Sequence, residues 1–311
     1  MINPTIVRLR RHFAALDSPV VVFNKSHSGS RLLAGLLAGQ GIFMGSALNE
    51  SQDALPIVPL MESLVRHYYP DYGRLWGVEP WPGGLEELAV AAFERHLAGR
   101  DPRRHRAWGW KLCETGFILP VIDAIFPSAR YVHLVRDGRD VAFSDHVAPE
   151  QPLWRKIYFN TDKIDQWRGL PLSHRAYERS SHIYNALHWV NSVEVCRTYG
   201  AMLRERYVEV RYEDLCTRFA DTAENLLAFL DCRPDPQALD AVARKVVTGR
   251  IGKFRYQPPA KQEEVLQLIE PTMLAMGYAV TPRGRDAGAG LSAFRHGWVD
   301  HIRRIGSSRR A

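Results

Sequence analysis

A short polar loop near the N-terminus is the first part of this sequence that could do chemistry. Residues 20–23 form an apolar, β-branched run typical of a buried strand, and leucines recur at helical spacing over residues 32–37. The first N–H groups of a helix lack intrahelical partners, and the helix dipole adds positive charge there. We therefore expect the loop to bind an anion. Its residues are Lys25, Ser26, His27, Ser28, Gly29, Ser30 and Arg31.

The loop does not satisfy the pattern of a nucleoside triphosphate site. The motif G-x-x-x-x-G-K-[ST] would occupy residues 24–31, where only Gly29 is in place. No lysine stands where it would meet the β- and γ-phosphates, and Arg31 replaces the hydroxyl that would bind magnesium. The sequence thus predicts a phosphate loop that is poorly suited to Mg-ATP, and a P-loop nucleotide kinase or NTPase is the alternative enzyme.

A second candidate anion site follows another predicted strand. Residues 130–135 read as a strand, Arg136 follows it, and Ser144 lies eight residues further on. An arginine guanidinium can bind a phosphate through two parallel hydrogen bonds. Because parallel strands end at one edge of a sheet, we expect Arg136 to lie beside the first loop.

The order of predicted elements is strand, helix, strand, helix, which is typical of a parallel sheet covered on both faces. We expect one α/β domain over residues 1–311, with three α/β/α layers, a central parallel sheet and a P-loop-like nucleotide-binding core. Residues 282–311 contain seven arginines and read as a basic C-terminal extension. Trp154, Tyr158 and Trp167 could form a stacking platform for an acceptor.

Composition limits the possible partners. The chain is 46% hydrophobic and 24% charged, as in ordinary globular proteins, and its start lacks a signal-peptide core, so a cytoplasmic location is expected. The net charge of +7 favours an anionic ligand, and the C-terminal arginines could contact an anionic surface. They match no nucleic-acid module, so no nucleic-acid partner is expected. A non-catalytic basic protein that binds polyanions is another alternative. The four cysteines have no metal-site spacing, so no metal is expected.

Together these segments resemble the nucleotide-binding motifs of sulfotransferases that use 3′-phosphoadenosine 5′-phosphosulfate. Residues 26–30 resemble the family's 5′-phosphosulfate loop, and Arg136 with Ser144 resembles its 3′-phosphate pair. Residues 211–215 resemble the segment whose tyrosine, here Tyr212, lies by the adenine. Residues 249–254 resemble the late basic segment that closes on the 3′-phosphate, here with Arg250, Gly252 and Lys253. The resemblance covers roughly residues 18–256.

The resemblance implies transfer of a sulfuryl group to an acceptor hydroxyl or amine, with 3′-phosphoadenosine 5′-phosphate as the second product and no metal. The acceptor class stays open between carbohydrate, lipid, small molecule and peptide. Lys111, in a W-G-x-K segment like that of many family members, is expected to bind the transferring sulfuryl oxygens.

His27 stands where the family normally has lysine or arginine. It is expected to act at the donor's bridging oxygen, while Lys25 and Arg31 are alternative sources of charge, and a weakened or inactive relative is a further alternative. The acceptor also needs a base. Glu50 is the first candidate, followed by Asp53 and Glu114; each could instead be a capping or surface carboxylate.

Overall fold

Five parallel strands form the sheet at the centre of the computed structural model, which describes residues 3–69, 81–144 and 182–280. Their spatial order is β2-β3-β1-β4-β5. The strands are β1 Val20–Asn24, β2 Ile42–Phe43, β3 Ala107–Lys111, β4 Arg130–Val135 and β5 Tyr207–Arg211. The predicted central parallel sheet is therefore confirmed.

Helices connect the strands and cover both faces of the sheet. Those before β4 ends are α1 Pro4–His12, α2 Ser30–Gly39, α3 Val58–Tyr68, α4 Leu85–Leu97 and α5 Leu119–Ile125. Those after it are α6 Gly138–Ala142, α7 His182–Leu203, α8 Tyr212–Thr217, α9 Phe219–Phe229, α10 Pro236–Ala243 and α11 Pro259–Ala275. In the described ranges no helix combines the length and the apolar character that a membrane span requires.

Side chains of β1 alternate between two hydrophobic clusters, as the pleat of a strand requires. Val21 and Phe23 belong to the larger cluster, and Val20 and Val22 belong to the smaller one on the other face. The larger cluster also contains Trp189 of α7, which is fully buried as expected from the sequence. Both faces of the central strand are thus covered, which confirms the three-layer architecture.

The register brings the ends of four neighbouring strands together. Val22 of β1 pairs with Lys111 of β3, and Asn24 pairs with Leu134 of β4. Val135 of β4 in turn pairs with Arg211 of β5. The residues that follow these strands therefore meet at one edge of the sheet, which is the usual ligand edge of an open parallel sheet.

Two local differences from the expected elements affect the site. The segment after β3 begins as a 3₁₀ helix, Cys113–Ile118, before α5 starts. The helix after Arg136 ends at Ala142, so Ser144 lies just beyond it rather than within it. The aromatic platform at Trp154, Tyr158 and Trp167 and the C-terminal extension lie outside the described residues.

Candidate functional site

The loop between β1 and α2 is a tight turn held by one carbonyl. The Lys25 carbonyl oxygen accepts hydrogen bonds from the Ser28 N–H (3.2 Å), the Ser28 hydroxyl (2.6 Å) and the Asn24 Nδ2 (2.5 Å). His27 at the tip has a φ of 68°, a conformation that is uncommon for a non-glycine residue. The Ser28 hydroxyl is therefore used within the loop.

Gly29 lets the loop approach its neighbour and starts α2. It has a φ of 87° and stands at the N-cap, with no side-chain cap and no acidic residue in the first turn. A Cβ atom at this position would clash with the ring of Tyr212, which begins α8. The N-terminus of α2 thus keeps its positive end uncompensated by any side chain, as an anion site requires.

Arg136 connects the loop to the other predicted donor segments. Its Nη1 donates to the His27 carbonyl (3.2 Å), and its Nη2 donates to the Arg250 carbonyl (2.5 Å). The guanidinium carbon lies 4.8 Å from the centre of the Tyr212 ring. Arg136 is only 6% exposed, and its Nε has no hydrogen-bond partner among the described residues. Segments far apart in the chain therefore meet at one buried cation.

Asp140 anchors the late basic segment to the same arginine. One of its oxygens accepts from the Gly252 N–H (2.7 Å) and from Arg136 Nη2 (3.3 Å), and the other accepts from the Phe254 N–H (3.1 Å). The side chain is fully buried. Gly252 has a φ of 77° and caps the 3₁₀ helix Lys253–Tyr256. Asp140 therefore fixes the segment that follows Arg250.

The backbone on either side of Arg136 is fixed as well. The Trp189 indole N–H donates to the Arg136 carbonyl (3.0 Å), and the Asp137 N–H donates to a carboxylate oxygen of Glu213 (2.9 Å). Desolvation raises the pKa of Glu213, although hydrogen bonds from the Asp137 N–H and the Tyr278 hydroxyl oppose the shift. These contacts leave Arg136 little freedom to move.

On the other side of β1, Lys111 ends strand β3 in an ion pair. Its Nζ donates to Asp53 (2.8 Å) and to the Ser51 carbonyl (2.9 Å), and its side chain is 2% exposed. Desolvation alone would lower the pKa of Lys111, but attraction to Cys113, Asp53 and Glu114 outweighs it and raises that pKa. Lys111 is therefore a protonated cation at the sheet edge.

Lys25 and Glu114 are buried ionisable groups at the ends of the adjacent strands β1 and β3. Lys25 is 2% exposed, and its Nζ has no hydrogen-bond partner in the described parts of the chain. Desolvation lowers the pKa of Lys25 to about 7, although Cys113 and Glu114 oppose the shift. Desolvation, with repulsion from Asp53, raises the pKa of Glu114 to about 7. Both groups can therefore change charge near neutral pH.

The remaining candidates have more exposed positions. His27, Arg31, Glu50, Arg250 and Lys253 are all exposed. Ser26 and Ser30 stay within the loop and the first turn of α2. The Ser144 hydroxyl donates to the Val141 carbonyl (2.7 Å), and no described contact joins it to Arg136. The structure thus brings Arg136, Tyr212, Gly29 and the segment around Gly252 together, whereas the hydrogen bonds described for Ser144 go to Val141 and Asn185.

Asp140 and Glu213 were missed as site residues by sequence reasoning. The spacing of Asp140, four residues after Arg136, is a signal for an ion pair on one helical turn. Glu213 directly follows Tyr212, but no local pattern shows that its carboxylate receives a backbone N–H from another strand end. Among the described residues there is no group of histidine, cysteine and acidic side chains that could hold a metal ion.

Comparison with known protein families identifies the chain. The family model described as "Sulfotransferase family" matches residues 19–236, which includes the loop, Arg136 and Tyr212. The chain belongs to the sulfotransferase family. As a sulfotransferase it is a transferase that acts on an acceptor with a hydroxyl group, and the kinase and polyanion-binding alternatives are not favoured. No curated protein matches it significantly.

Several solved sulfotransferase structures are similar to this sulfotransferase. The sulfotransferase domain from the curacin biosynthetic pathway is 16% identical, with a TM-score of 0.48, covering 86% of this chain and 100% of that one. The domain from the Synechococcus PCC 7002 olefin synthase is 20% identical, with a TM-score of 0.49, covering 86% and 97%. Mouse sulfotransferase SULT7A1, complexed with PAP, is 11% identical, with a TM-score of 0.44, covering 85% and 88%.

Proposed function

We propose that this sulfotransferase uses 3′-phosphoadenosine 5′-phosphosulfate as its donor and transfers the sulfuryl group in line to an acceptor hydroxyl or amine. The observation that carries the proposal is the convergence on Arg136. Its guanidinium joins the His27 carbonyl of the first anion loop to the Arg250 carbonyl of the late basic segment, and it lies against Tyr212. One buried cation thus connects the two anion sites that a donor with two separate phosphates needs.

The residues at the sheet edge fit such a donor. The uncapped N-terminus of α2 provides N–H groups for the 5′-phosphosulfate, and the glycine at position 29 lets the loop pack against Tyr212. Arg136, with Ser144, Arg250, Gly252 and Lys253, is the proposed 3′-phosphate site. Tyr212 is the proposed neighbour of the adenine. When bound, the donor supplies an activated sulfuryl group whose transfer needs positioning and charge stabilisation.

Roles on the reacting side follow from charge and position. Lys111 is a buried cation at the end of β3 and is proposed to bind the sulfuryl oxygens. His27 is proposed to donate a hydrogen bond to the leaving oxygen, with Lys25 and Arg31 as the other cations of the loop. Glu50 and Asp53 stay predictions for the base. We also propose a cytoplasmic location and a contact of the C-terminal arginines with an anionic surface, from the sequence alone.

The test compares two nucleotides that differ only in the 3′-phosphate. Calorimetric titration of the wild-type chain should show tighter binding of 3′-phosphoadenosine 5′-phosphate than of adenosine 5′-monophosphate. Arg136→Ala should lower the affinity for the bisphosphate by about 100-fold, since charge-assisted contacts contribute about 1.5–3 kcal/mol each. Its effect on the affinity for the monophosphate should be much smaller.

Arg130→Ala is the matched control. Arg130 begins the same strand at the opposite edge of the sheet and pairs with Asp231 on the surface. Its replacement should leave both affinities within about twofold, because exposed ion pairs contribute little. Equal losses for the two nucleotides in Arg136→Ala would refute the 3′-phosphate assignment. Preference for Mg-ATP over the bisphosphate would refute the donor.

A further inference from the structure

Three carboxylates near the ends of β1 and β3 could accept the acceptor's proton, and their surroundings differ. Glu50 is exposed. Asp53 already accepts from Lys111 Nζ (2.8 Å) and from Asn49 Nδ2 (3.1 Å), so each of its carboxylate oxygens is held by a partner. Glu114 is buried and has a pKa raised to about 7, which suits a general base at neutral pH.

The register brings the segments that carry Lys25 and Glu114 to the same edge of the sheet. Val22 pairs with Lys111, and the Leu112 N–H donates to the Val22 carbonyl (3.1 Å). Lys25 directly follows β1, and Glu114 lies in the 3₁₀ helix that follows β3. The two side chains interact electrostatically, yet no hydrogen bond joins Lys25 Nζ to any described residue.

An unpartnered buried amine at this position needs an explanation. Burying an ammonium without a partner is costly, so such a lysine is retained only where its charge is compensated by an anion or is lost. Within the described chain, the groups that face Lys25 are Glu114 and the thiol of Cys113, whose own pKa burial raises. Glu114 is therefore the anion available to Lys25 before any donor binds.

We propose that Glu114 is the general base of the transfer, and that Lys25 is a positioning residue whose ammonium keeps the Glu114 carboxylate ionised. This inference rests on the proposed function. In the step, the acceptor oxygen forms a bond to sulfur while the bond between sulfur and the 5′-phosphate oxygen breaks. The electron pair of the broken bond leaves with the phosphate, and the hydroxyl proton moves to Glu114.

The charged neighbours of Glu114 shift its pKa in opposite directions, and these shifts can be tested separately. Lys25 and Lys111 lower the pKa of Glu114, whereas Asp53 raises it. Removal of the Lys25 cation by Lys25→Met should therefore raise the pKa of Glu114, and removal of the Asp53 charge by Asp53→Asn should lower it. A shift of about one unit is expected for a charge within about 4–6 Å. A merely structural change would not produce opposite shifts.

The first experiment titrates the full-length protein with ¹³C-labelled glutamate carboxyl groups by NMR, and it needs no acceptor. One resonance should titrate near pH 7 and be absent in Glu114→Gln, whereas Glu50→Gln should not remove it. Its midpoint should move up in Lys25→Met and down in Asp53→Asn. Absence of a resonance that titrates near neutral pH, or shifts of the same sign, would overturn the proposal.

The second experiment measures transfer of ³⁵S from labelled 3′-phosphoadenosine 5′-phosphosulfate to water and to a panel of alcohols, phenols and sugars. Glu114→Gln should lose about 10²–10⁴-fold in rate, the usual contribution of a general base, and Glu94→Gln, on the exposed side of α4, should keep the wild-type rate. Thermal unfolding and binding of 3′-phosphoadenosine 5′-phosphate serve as controls for folding and donor binding, and both should stay near wild type in Glu114→Gln.

The outcomes separate this proposal from the donor assignment. If the wild-type chain does not bind the bisphosphate, the donor assignment is refuted. Normal binding with full activity in Glu114→Gln would overturn only the base assignment, as would a wild-type protein that binds the bisphosphate but transfers no label. If Lys25→Met loses affinity for the bisphosphate without moving the Glu114 titration, Lys25 acts on the donor and its positioning role is overturned.

Discussion

Replacement of Asp140 by alanine should both destabilise the fold and weaken nucleotide binding at the proposed donor site. Its carboxylate is fully buried and receives the Gly252 and Phe254 N–H groups and Arg136 Nη2. Alanine would leave two buried N–H groups without acceptors, at about 1–3 kcal/mol each. It would also leave Arg136 without its buried counter-ion, and breaking such a pair typically costs about 3–5 kcal/mol. These costs overlap, so we expect a loss of about 4 kcal/mol in the free energy of unfolding.

Urea unfolding at neutral pH measures that loss, and calorimetry with 3′-phosphoadenosine 5′-phosphate measures the effect on the site. Affinity should fall by at least about tenfold, because Arg136 and the segment at 252–254 lose their common anchor. Asp140→Asn should lose less stability than Asp140→Ala, since its carbonyl oxygen can still accept one N–H. Asp240→Ala on the exposed side of α10 is the control, expected within about 0.5 kcal/mol of wild type. A similarly small change in Asp140→Ala would refute the reasoning.

Two further predictions concern the loop and the buried pair. Gly29→Ala should reduce affinity for the bisphosphate by more than about tenfold, because its Cβ would clash with Tyr212 at a positive φ. Gly35→Ala is the control: its Cβ has open space, and the variant should stabilise α2 by up to about 1 kcal/mol. Equal affinity for the bisphosphate in both variants would contradict this. Between pH 4.5 and about 7 the folded state holds a proton on Glu114 that the unfolded state has lost, so stability should fall as pH rises. Between about 7 and 10.5 the unfolded state holds the extra proton on Lys25, so stability should rise. The double variant Lys25→Met/Glu114→Gln should flatten the resulting minimum near pH 7 in urea unfolding across that range, and an unchanged minimum would count against the pair.

Much of the fold was predictable because its signals are local. The β1 run and the repeated leucines after it follow periods that only a buried strand and a helix satisfy, and the structure has β1 and α2 there. Helix ends were less predictable. The helix after Arg136 ends at Ala142, before Ser144 is reached, and the Ser144 hydroxyl folds back onto the Val141 carbonyl. Serine commonly makes such local contacts with the backbone near a helix end.

The candidate site was predictable only in part, because its residues meet through tertiary structure. Motif order placed Arg136 and Tyr212 at strand ends, and the parallel register then brings them together. The two backbone N–H groups that donate to Asp140 lie more than 100 residues further along the chain, so no sequence window contains both sides of those contacts. Burial is equally invisible to spacing. It separates Glu114 from Glu50, although both are glutamates that follow a predicted element.

The position of Lys25 bears directly on the substitution at His27. His27, at the tip of the loop, is exposed, whereas Lys25 is buried beneath the loop. The Lys25 carbonyl accepts a hydrogen bond from the Ser28 hydroxyl, and its amine interacts with Glu114. A lysine at position 27 would therefore stand on the exposed side of the loop, whereas Lys25 lies towards the segment that follows β3. The two positions cannot substitute for one another without a change of loop conformation, which agrees with the separate roles proposed for Lys25 beside Glu114 and for His27 at the leaving oxygen. His27→Lys should consequently keep or raise the rate of label transfer, while Lys25→His should lower it.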